Sequence, residues 1–259
     1  MMTIAFNKYQ GAGNDFIIID NRNSVFNPED SGLINNLCDR RFGIGADGLI
    51  LLGKSNDFDF EMIYYNSDGF KGTMCGNGGR CTADFAIRSG ITGKKLKFIA
   101  ADGIHEAIAE AGEIRLKMND VNESRSMGGN YFINTGSPHY VLFTKGLNNL
   151  DVYNEGKKIR WSGDFQPGGT NVNFVEPEDG GIYVRTFERG VEDETLSCGT
   201  GVTASAIASV LSGHFVSGPV HVRTKGGNLK VEFNIKENKI SNIWLCGPAT
   251  FVFEGKINI

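Results

Sequence analysis

The 259-residue chain contains no apolar run that approaches the roughly 18 residues a membrane-spanning helix needs. Its opening residues, MMTIAFNKYQGAGNDF, lack a basic segment followed by a long apolar stretch and a small-residue cleavage site. No secretory leader is therefore expected, and the expected location is the cytoplasm, away from any membrane. Clusters of Lys or Arg are also missing, and the formal net charge is −4, which argues against a nucleic-acid partner and towards a small-molecule ligand. Cysteine is sparse and odd in number: Cys38, Cys75, Cys81, Cys198 and Cys246 predict reduced thiols rather than a disulfide framework. Cys75 and Cys81 stand wider apart than a metal-binding C-x2–4-C pair, and Cys198 has no Cys or His beside it, so no metal site is expected. A Walker lysine is absent and neither GAGNDF nor GIGADG has the full dinucleotide spacing, which speaks against a nucleotide.

Glycine, by contrast, is abundant. The chain has 35, where ~7% is usual, and each costs conformational entropy unless a tight turn or a close approach to backbone needs it. With 40% hydrophobic and 22% charged residues the remaining composition is that of an ordinary globular protein.

Two of the glycine-rich stretches are headed by cysteine: MCGNGGRC at 74–81 and SCGTGVTA at 197–204. Cys75 and Cys198 are 123 positions apart, and the same offset lays GAGNDFII (11–18) over NTGSPHYV (134–141) and GADGLILL (45–52) over GGTNVNFV (168–175). Gly13 then stands over Gly136 and Gly45 over Gly168, each a turn glycine feeding an apolar run. IYYNSDG (63–69) falls on TFERGVE (186–192), which sets Arg189 over Asn66, and IRSG (87–90) falls on VLSG (210–213). We read a duplication. One half is expected over 1–119, with a strand at 250–259 that could return to it, and the other over 120–249, the polar stretch MNDVNESRSMGGN marking the junction.

Runs such as FIIID, LKFIA, HYVLF, IYVRTF and NIWLC, set between Gly, Asn and Asp turns, predict strands. Helical spacing is clearest just after each cysteine loop, at Ala83, Ala86 and Ile87 and at Val202, Ala206 and Val210. Gly90 and Gly213 provide left-handed stops. The expected class is α+β: two pseudo-symmetric halves, each a mostly antiparallel curved sheet wrapped around a central helix.

A thiol at a helix start sits beside backbone N–H groups that have no intrahelical partner and at the positive end of the helix dipole. Both favour the thiolate, and the N–H groups of Gly76-Asn77 and Gly199-Thr200 offer a carboxylate a seat. Two such loops facing each other would meet the need of an epimerase, in which one group takes a proton from one face of a carbon while another delivers a proton to the opposite face. Cys38, Cys81 and Cys246 have no partner under the offset and are expected to pack in the core. His105, His214 and His221 belong to no constellation.

Taken together, GAGNDF, CDRRFGIGADG, YNSDG followed by MCGNGGRC, TGSPH, TNVNFV and RTFERGVEDETLSCGTG resemble the diaminopimelate epimerase family over nearly the whole chain. The resemblance implies a cofactor-independent homodimeric isomerase that interconverts LL- and meso-2,6-diaminopimelate for lysine and peptidoglycan synthesis. Cys75 and Cys198 resemble its thiolate base and thiol acid. His139 and Glu188 resemble the groups that tune them. Asn14, Asn66, Gly76, Asn77, Asn171, Glu188, Arg189, Gly199 and Thr200 resemble the substrate binders. Some members carry glutamine where this chain has Gly48 and asparagine where it has Ser137, so contacts there are expected to be lost or filled by water. The segment from Glu188 to Cys198 is also one residue longer than in some members. Proline racemases and hydroxyproline epimerases share the two-cysteine pattern, but their first loop typically has histidine where this chain has Asn77. A dithiol redox switch joining Cys75 to Cys198 is the alternative outside catalysis.

Overall fold

Along β1 (Thr3–Gly11) buried side chains alternate with exposed or half-buried ones, the period of two expected of a strand with one covered face. In the next two strands, β2 (Asn14–Asp20) and β3 (Gly48–Gly53), alternation gives way to almost continuous burial, because both faces are covered. Ile17, Ile19, Leu49 and Leu51 pack outwards on Ile34 and Leu37 of the short helix α1 (Ser31–Cys38). The opposite face lies on α2 (Gly76–Arg88), where Phe16, Ile50 and Met62 approach Gly78. The computed structural model describes residues 2–237 and 239–259. No helix among them is long and apolar enough to cross a membrane.

The chain divides into two compact units, Met1–Leu116 with Gly247–Ile259, and Lys117–Cys246. In the first, β4 (Phe60–Asn66), β5 (Lys95–Ala100), β6 (Gly103–Glu110) and β7 (Glu113–Lys117) continue the sheet from β3. In the second, β8 (Ser124–Met127) and β9 (Asn130–Asn134) lead into β10 (Pro138–Phe143), β11 (Asn171–Glu178) and β12 (Gly181–Glu188). The short β13 (Asp193–Thr195) folds back on β12, and β14 (Val220–Thr224), β15 (Gly227–Lys236) and β16 (Lys239–Gly247) follow. A single long helix, α4 (Gly199–Leu211), touches β9, β10, β11, β12, β14 and β15 of this unit, so the sheet wraps around it. The helix α2 has the same relation to β1, β2, β3, β4 and β6. The last strand, β17 (Thr250–Asn258), returns to lie antiparallel to β1, the place that β8 takes beside β9.

The offset seen in the sequence is therefore a structural one. α2 and α4 begin and end 123 positions apart, and the parallel pair Phe16–Gly48 recurs as His139–Asn171. Gly90 and Gly213 both close their helices in the left-handed region, at φ of 68° and 80°. Two corrections apply. The left-handed glycine that answers Gly45 is Gly169 rather than Gly168. The offset also slips by one on β12: Leu49 faces Tyr65, but Val172 faces Phe187. Register returns at β13, since Tyr65 bridges Lys71 and Phe187 faces Glu194. The extra residue thus lies in the turn after Glu188, and Glu188, not Arg189, stands where Asn66 stands.

A helix with no counterpart in the sequence reading, α3 (Val152–Arg160), covers the outer face of β11 and β12. Its Gly156 lies against Phe187, where a Cβ would overlap the Phe187 side chain, so the helix can come this close only as glycine. Asp151 caps it by accepting from the Asn154 N–H at 3.1 Å, as Asp30 caps α1 through Leu33 N–H at 2.9 Å.

Candidate active site

Each unit presents a cysteine as the N-cap of its central helix, with extended backbone at φ −101° for Cys75 and −114° for Cys198. The first intrahelical bonds run from Gly79 N–H to the Cys75 carbonyl and from Val202 N–H to the Cys198 carbonyl. This leaves the N–H groups of Gly76, Asn77 and Gly78, and of Gly199, Thr200 and Gly201, at the open end of the helix. No acidic residue occupies either first turn, and neither cysteine side chain caps it. Both starts thus carry the positive end of a helix dipole with no carboxylate of their own in the first turn.

In the first unit Cys75 is half-buried, and its Sγ lies 3.4 Å from Asn14 Oδ1, where a thiol donates. Asn14 is fixed from its other side, Nδ2 donating to Asp47 Oδ2 at 2.6 Å. Asp47 in turn shares Arg40 with Asp15. Burial alone would raise the Asp15 carboxyl, but hydrogen bonds from Arg40 and Lys8 outweigh it and hold the group at about 2. Asn77 is fully buried, its Nδ2 3.5 Å from Asn14 Oδ1 and its Oδ1 accepting from Arg80 Nη2 at 2.9 Å. Arg80, 0% exposed, also donates to the Gly76 carbonyl at 3.3 Å and to the Pro248 carbonyl at 3.4 Å. It fixes which end of the Asn77 amide faces Asn14. The sequence reading missed Arg80 and Asp47; the signal for the first was a long cation inside a glycine-rich helix start, three residues after Asn77. Asn66 lies exposed at the end of β4, opposite Gly48.

At Gly48 the neighbouring strand crowds the place of a side chain. A Cβ there would overlap Tyr64 Cε2 and the Tyr65 carbonyl oxygen, because the Tyr64 ring lies over the glycine. Ser137 likewise keeps a polar contact, accepting from Asn171 Nδ2 at 2.8 Å.

In the second unit Cys198 is buried, with Sγ 3.4 Å from the Thr200 hydroxyl, and the Thr135 hydroxyl donates to the Thr200 carbonyl at 3.0 Å. Asn171 has its side chain engaged on both sides: Nδ2 reaches Ser137 and the Pro138 carbonyl, and Oδ1 accepts from the Arg189 N–H at 2.8 Å. It sets the path of the turn that carries the exposed Arg189, just beyond the half-buried Glu188.

Where the first unit has Phe16, Ile50 and Tyr64, the second has His139, Asn173 and Thr186, a buried polar chain. Thr186 Oγ1 donates to Asn173 Oδ1 at 3.0 Å, and Asn173 Nδ2 meets His139 Nδ1 at 3.0 Å. Nδ1 thus accepts and the ring proton sits on Nε2, which has no partner among the described residues. Burial pushes the imidazole down to about 3, with the Arg189 charge adding to the effect, so His139 is a neutral donor at pH 7. An unfolded histidine titrates near ~6.5. As pH falls below that value the unfolded chain takes up the proton first, so stability declines from ~6.5 towards the folded value. In urea unfolding between pH 7 and 5, His139→Phe is expected to lose this part of the slope; an unchanged slope would show that His139 is not held neutral.

The other cysteines lie in the core. Burial pushes the Cys38 thiol up to about 11 and raises the fully buried Cys81 further still. Cys246 is also fully buried.

The family model for diaminopimelate epimerase matches twice, at residues 6–130 and at 131–252. The chain belongs to the diaminopimelate epimerase family. A protein named diaminopimelate epimerase in Flavobacterium psychrophilum is 53% identical over 96% of this chain and 98% of its own length. Proteins of the same name in Chlorobaculum tepidum and Aquifex aeolicus are 47% and 39% identical, covering 96% and 98% of this chain and 99% and 97% of theirs. Among solved structures, a phenazine biosynthesis protein of the PhzF family from Bacillus anthracis has a TM-score of 0.80 at 15% identity over all of both chains. A hydroxyproline epimerase from Agrobacterium vitis has a TM-score of 0.69 at 14% identity, over 98% of this chain and 92% of that one. These two share the fold of the diaminopimelate epimerase family. The two family matches divide the chain as the repeat does, one cysteine-headed helix to each.

Proposed function

We propose that the chain is a diaminopimelate epimerase that interconverts LL- and meso-2,6-diaminopimelate with two thiols and no cofactor, supplying lysine and peptidoglycan precursors in the cytoplasm. The observation that carries this reading is a cysteine at the N-cap of the central helix in both copies of the repeat. One cysteine, as thiolate, takes the α-proton, and the electron pair of the C–H bond stays on carbon and spreads into the adjacent carboxylate. The open N–H groups of a helix start stabilise that charge. The other cysteine donates its S–H proton to the opposite face of the carbon, and each turnover leaves the two sulfurs with exchanged protonation states.

Asn14, Asn66, Gly76, Asn77, Asn171, Glu188, Arg189, Gly199 and Thr200 form the substrate-binding set, amides and the guanidinium suiting carboxylates and Glu188 an ammonium. His139, neutral and donating, acts by hydrogen bonding rather than as a base. The long polar set at Glu188 and Arg189 suits a substrate with two amino-acid ends better than a proline ring. A homodimer is supported by Val252 and Phe253, exposed at 50% and 44% on the terminal strand. The test is to incubate purified, reduced protein with LL-diaminopimelate and resolve the stereoisomers, with sedimentation of the same sample. Meso product and twice the chain mass are expected, whereas turnover of proline or hydroxyproline in its place would move the protein to the neighbouring activity.

A further inference from the structure

The row of side chains that leads to the start of α2 comes from three adjacent strands: Asn14 from β2, position 48 from β3 and Asn66 from β4. Phe16 faces Gly48, and Gly48 faces Asn66. Asn14, two residues before Phe16 and so on the same sheet face, is the group that lies against Cys75 Sγ. In the second unit the corresponding row is Ser137, Asn171 and Glu188, polar at every position. In the first unit the middle position is glycine, which has no side chain to offer.

Tyr64 fills that position from the next strand. It pairs with Ile50, one step along the same face, and its ring leans back over Gly48. A Cβ on Gly48 would lie 2.8 Å from the Tyr64 hydroxyl oxygen, so the hydroxyl occupies the place where a residue-48 side chain would begin. From its other side the ring is bounded by Gly72, whose Cβ would lie 2.7 and 2.8 Å from Tyr64 Cδ1 and Cε1 and 3.0 Å from Asn66 Oδ1. Phe16 meets the ring edge-on with centroids 6.1 Å apart. A glycine on either side and an aromatic edge hold the ring over Gly48, which lies opposite Asn66. Tyr64 as a whole is half-buried. The second copy carries Thr186 here, too short to reach, and has Asn171 at the position that Gly48 leaves bare.

We propose that the Tyr64 hydroxyl contacts substrate in the first unit, donating to a carboxylate oxygen of the bound amino acid. Gly48 and Gly72 are the two vacancies that let its ring reach there. The inference rests on the diaminopimelate epimerase reading and adds to it a residue that determines how substrate is gripped. Tyr64→Phe keeps the ring and removes only the hydroxyl. KM for diaminopimelate is expected to rise about 10-fold, the scale of a lost hydrogen bond to a charged group, with kcat within ~2-fold and the thermal midpoint unchanged. A role confined to packing would leave KM at its wild-type value, and that result would overturn the proposal.

A second arm transplants the residue that the other copy carries here. Tyr64→Thr, too short to reach past Gly48, is expected to raise KM at least as far as Tyr64→Phe does. Tyr64→Thr with the wild-type KM would count against a ligand contact at this point. Wild-type protein in the same assay separates the two readings. If it does not epimerise diaminopimelate the functional proposal fails, and if it does while Tyr64→Phe keeps its KM only the present inference fails.

Discussion

Cys75→Ala and Cys198→Ala are each expected to lower net epimerisation by at least ~100-fold, the lower end of what one positioned acid or base contributes to a proton transfer. The fold of either variant should be unaffected, since neither cysteine side chain caps its helix or bridges to another sulfur. The two variants should nevertheless differ from a protein that has lost its site. In D2O the remaining thiolate can still remove a proton from the face it serves and return deuterium to that face, so exchange should outlast inversion. The measurement is deuterium at the α-carbon beside the isomer ratio. Full inversion in either variant would eliminate a two-thiol mechanism, and full activity after diamide oxidation of the wild type would do so independently.

The second large effect is expected at Gly201. A Cβ on this residue would overlap Asn173 Oδ1, the acceptor for Thr186 in the buried chain that ends at His139. Its counterpart in the first helix, Gly78, would bring a Cβ only to 3.1 Å from Ile50 Cδ1 and 3.3 Å from Met62 Cε, both ends of flexible side chains. Alanine gains about 1 kcal/mol over glycine in a helix. Gly78→Ala should therefore come out near neutral. Gly201→Ala should cost about 2 kcal/mol through overpacking against a buried amide that has no room to turn, and activity should fall with it as Asn173 and His139 shift. Denaturant midpoints for the pair decide the matter: equal costs would mean that the polar chain yields as easily as the aliphatic contacts.

The difference between these two glycines also marks where the sequence was readable. The cysteine-headed loops declared themselves because a thiol stands directly before a glycine-rich run twice, at one offset. The helices after them carried apolar spacing and glycine stops, and they lie where the spacing put them. Inner and outer strands were visible as β-branched runs. Helix α1 was not, since eight residues with two asparagines hold too little periodicity. Helix α3 was hidden by Gly156, which breaks the helical pattern for the sake of the Phe187 ring. The extra residue between Glu188 and Cys198 was legible against the family, but its effect on which residue stands under Asn66 was not, because one residue fewer before Glu188 restores the offset and only strand register separates the two. Arg80 and Tyr64 were invisible for a different reason. Their roles depend on which neighbours are small, and smallness at Gly48 and Gly72 acquires meaning only once the strands are paired.

The pairing of β17 with β1 bears on how this protein is made. The second unit is a continuous stretch, Lys117–Cys246, and can complete its sheet from residues that leave the ribosome together. The first unit is synthesised earlier yet lacks its outer strand until Thr250–Asn258 emerges, so the edge of β1 stays uncovered throughout elongation. Residues as distant in sequence as Thr3 and Asn258 must then find each other, so a segment made early is among the last to be finished.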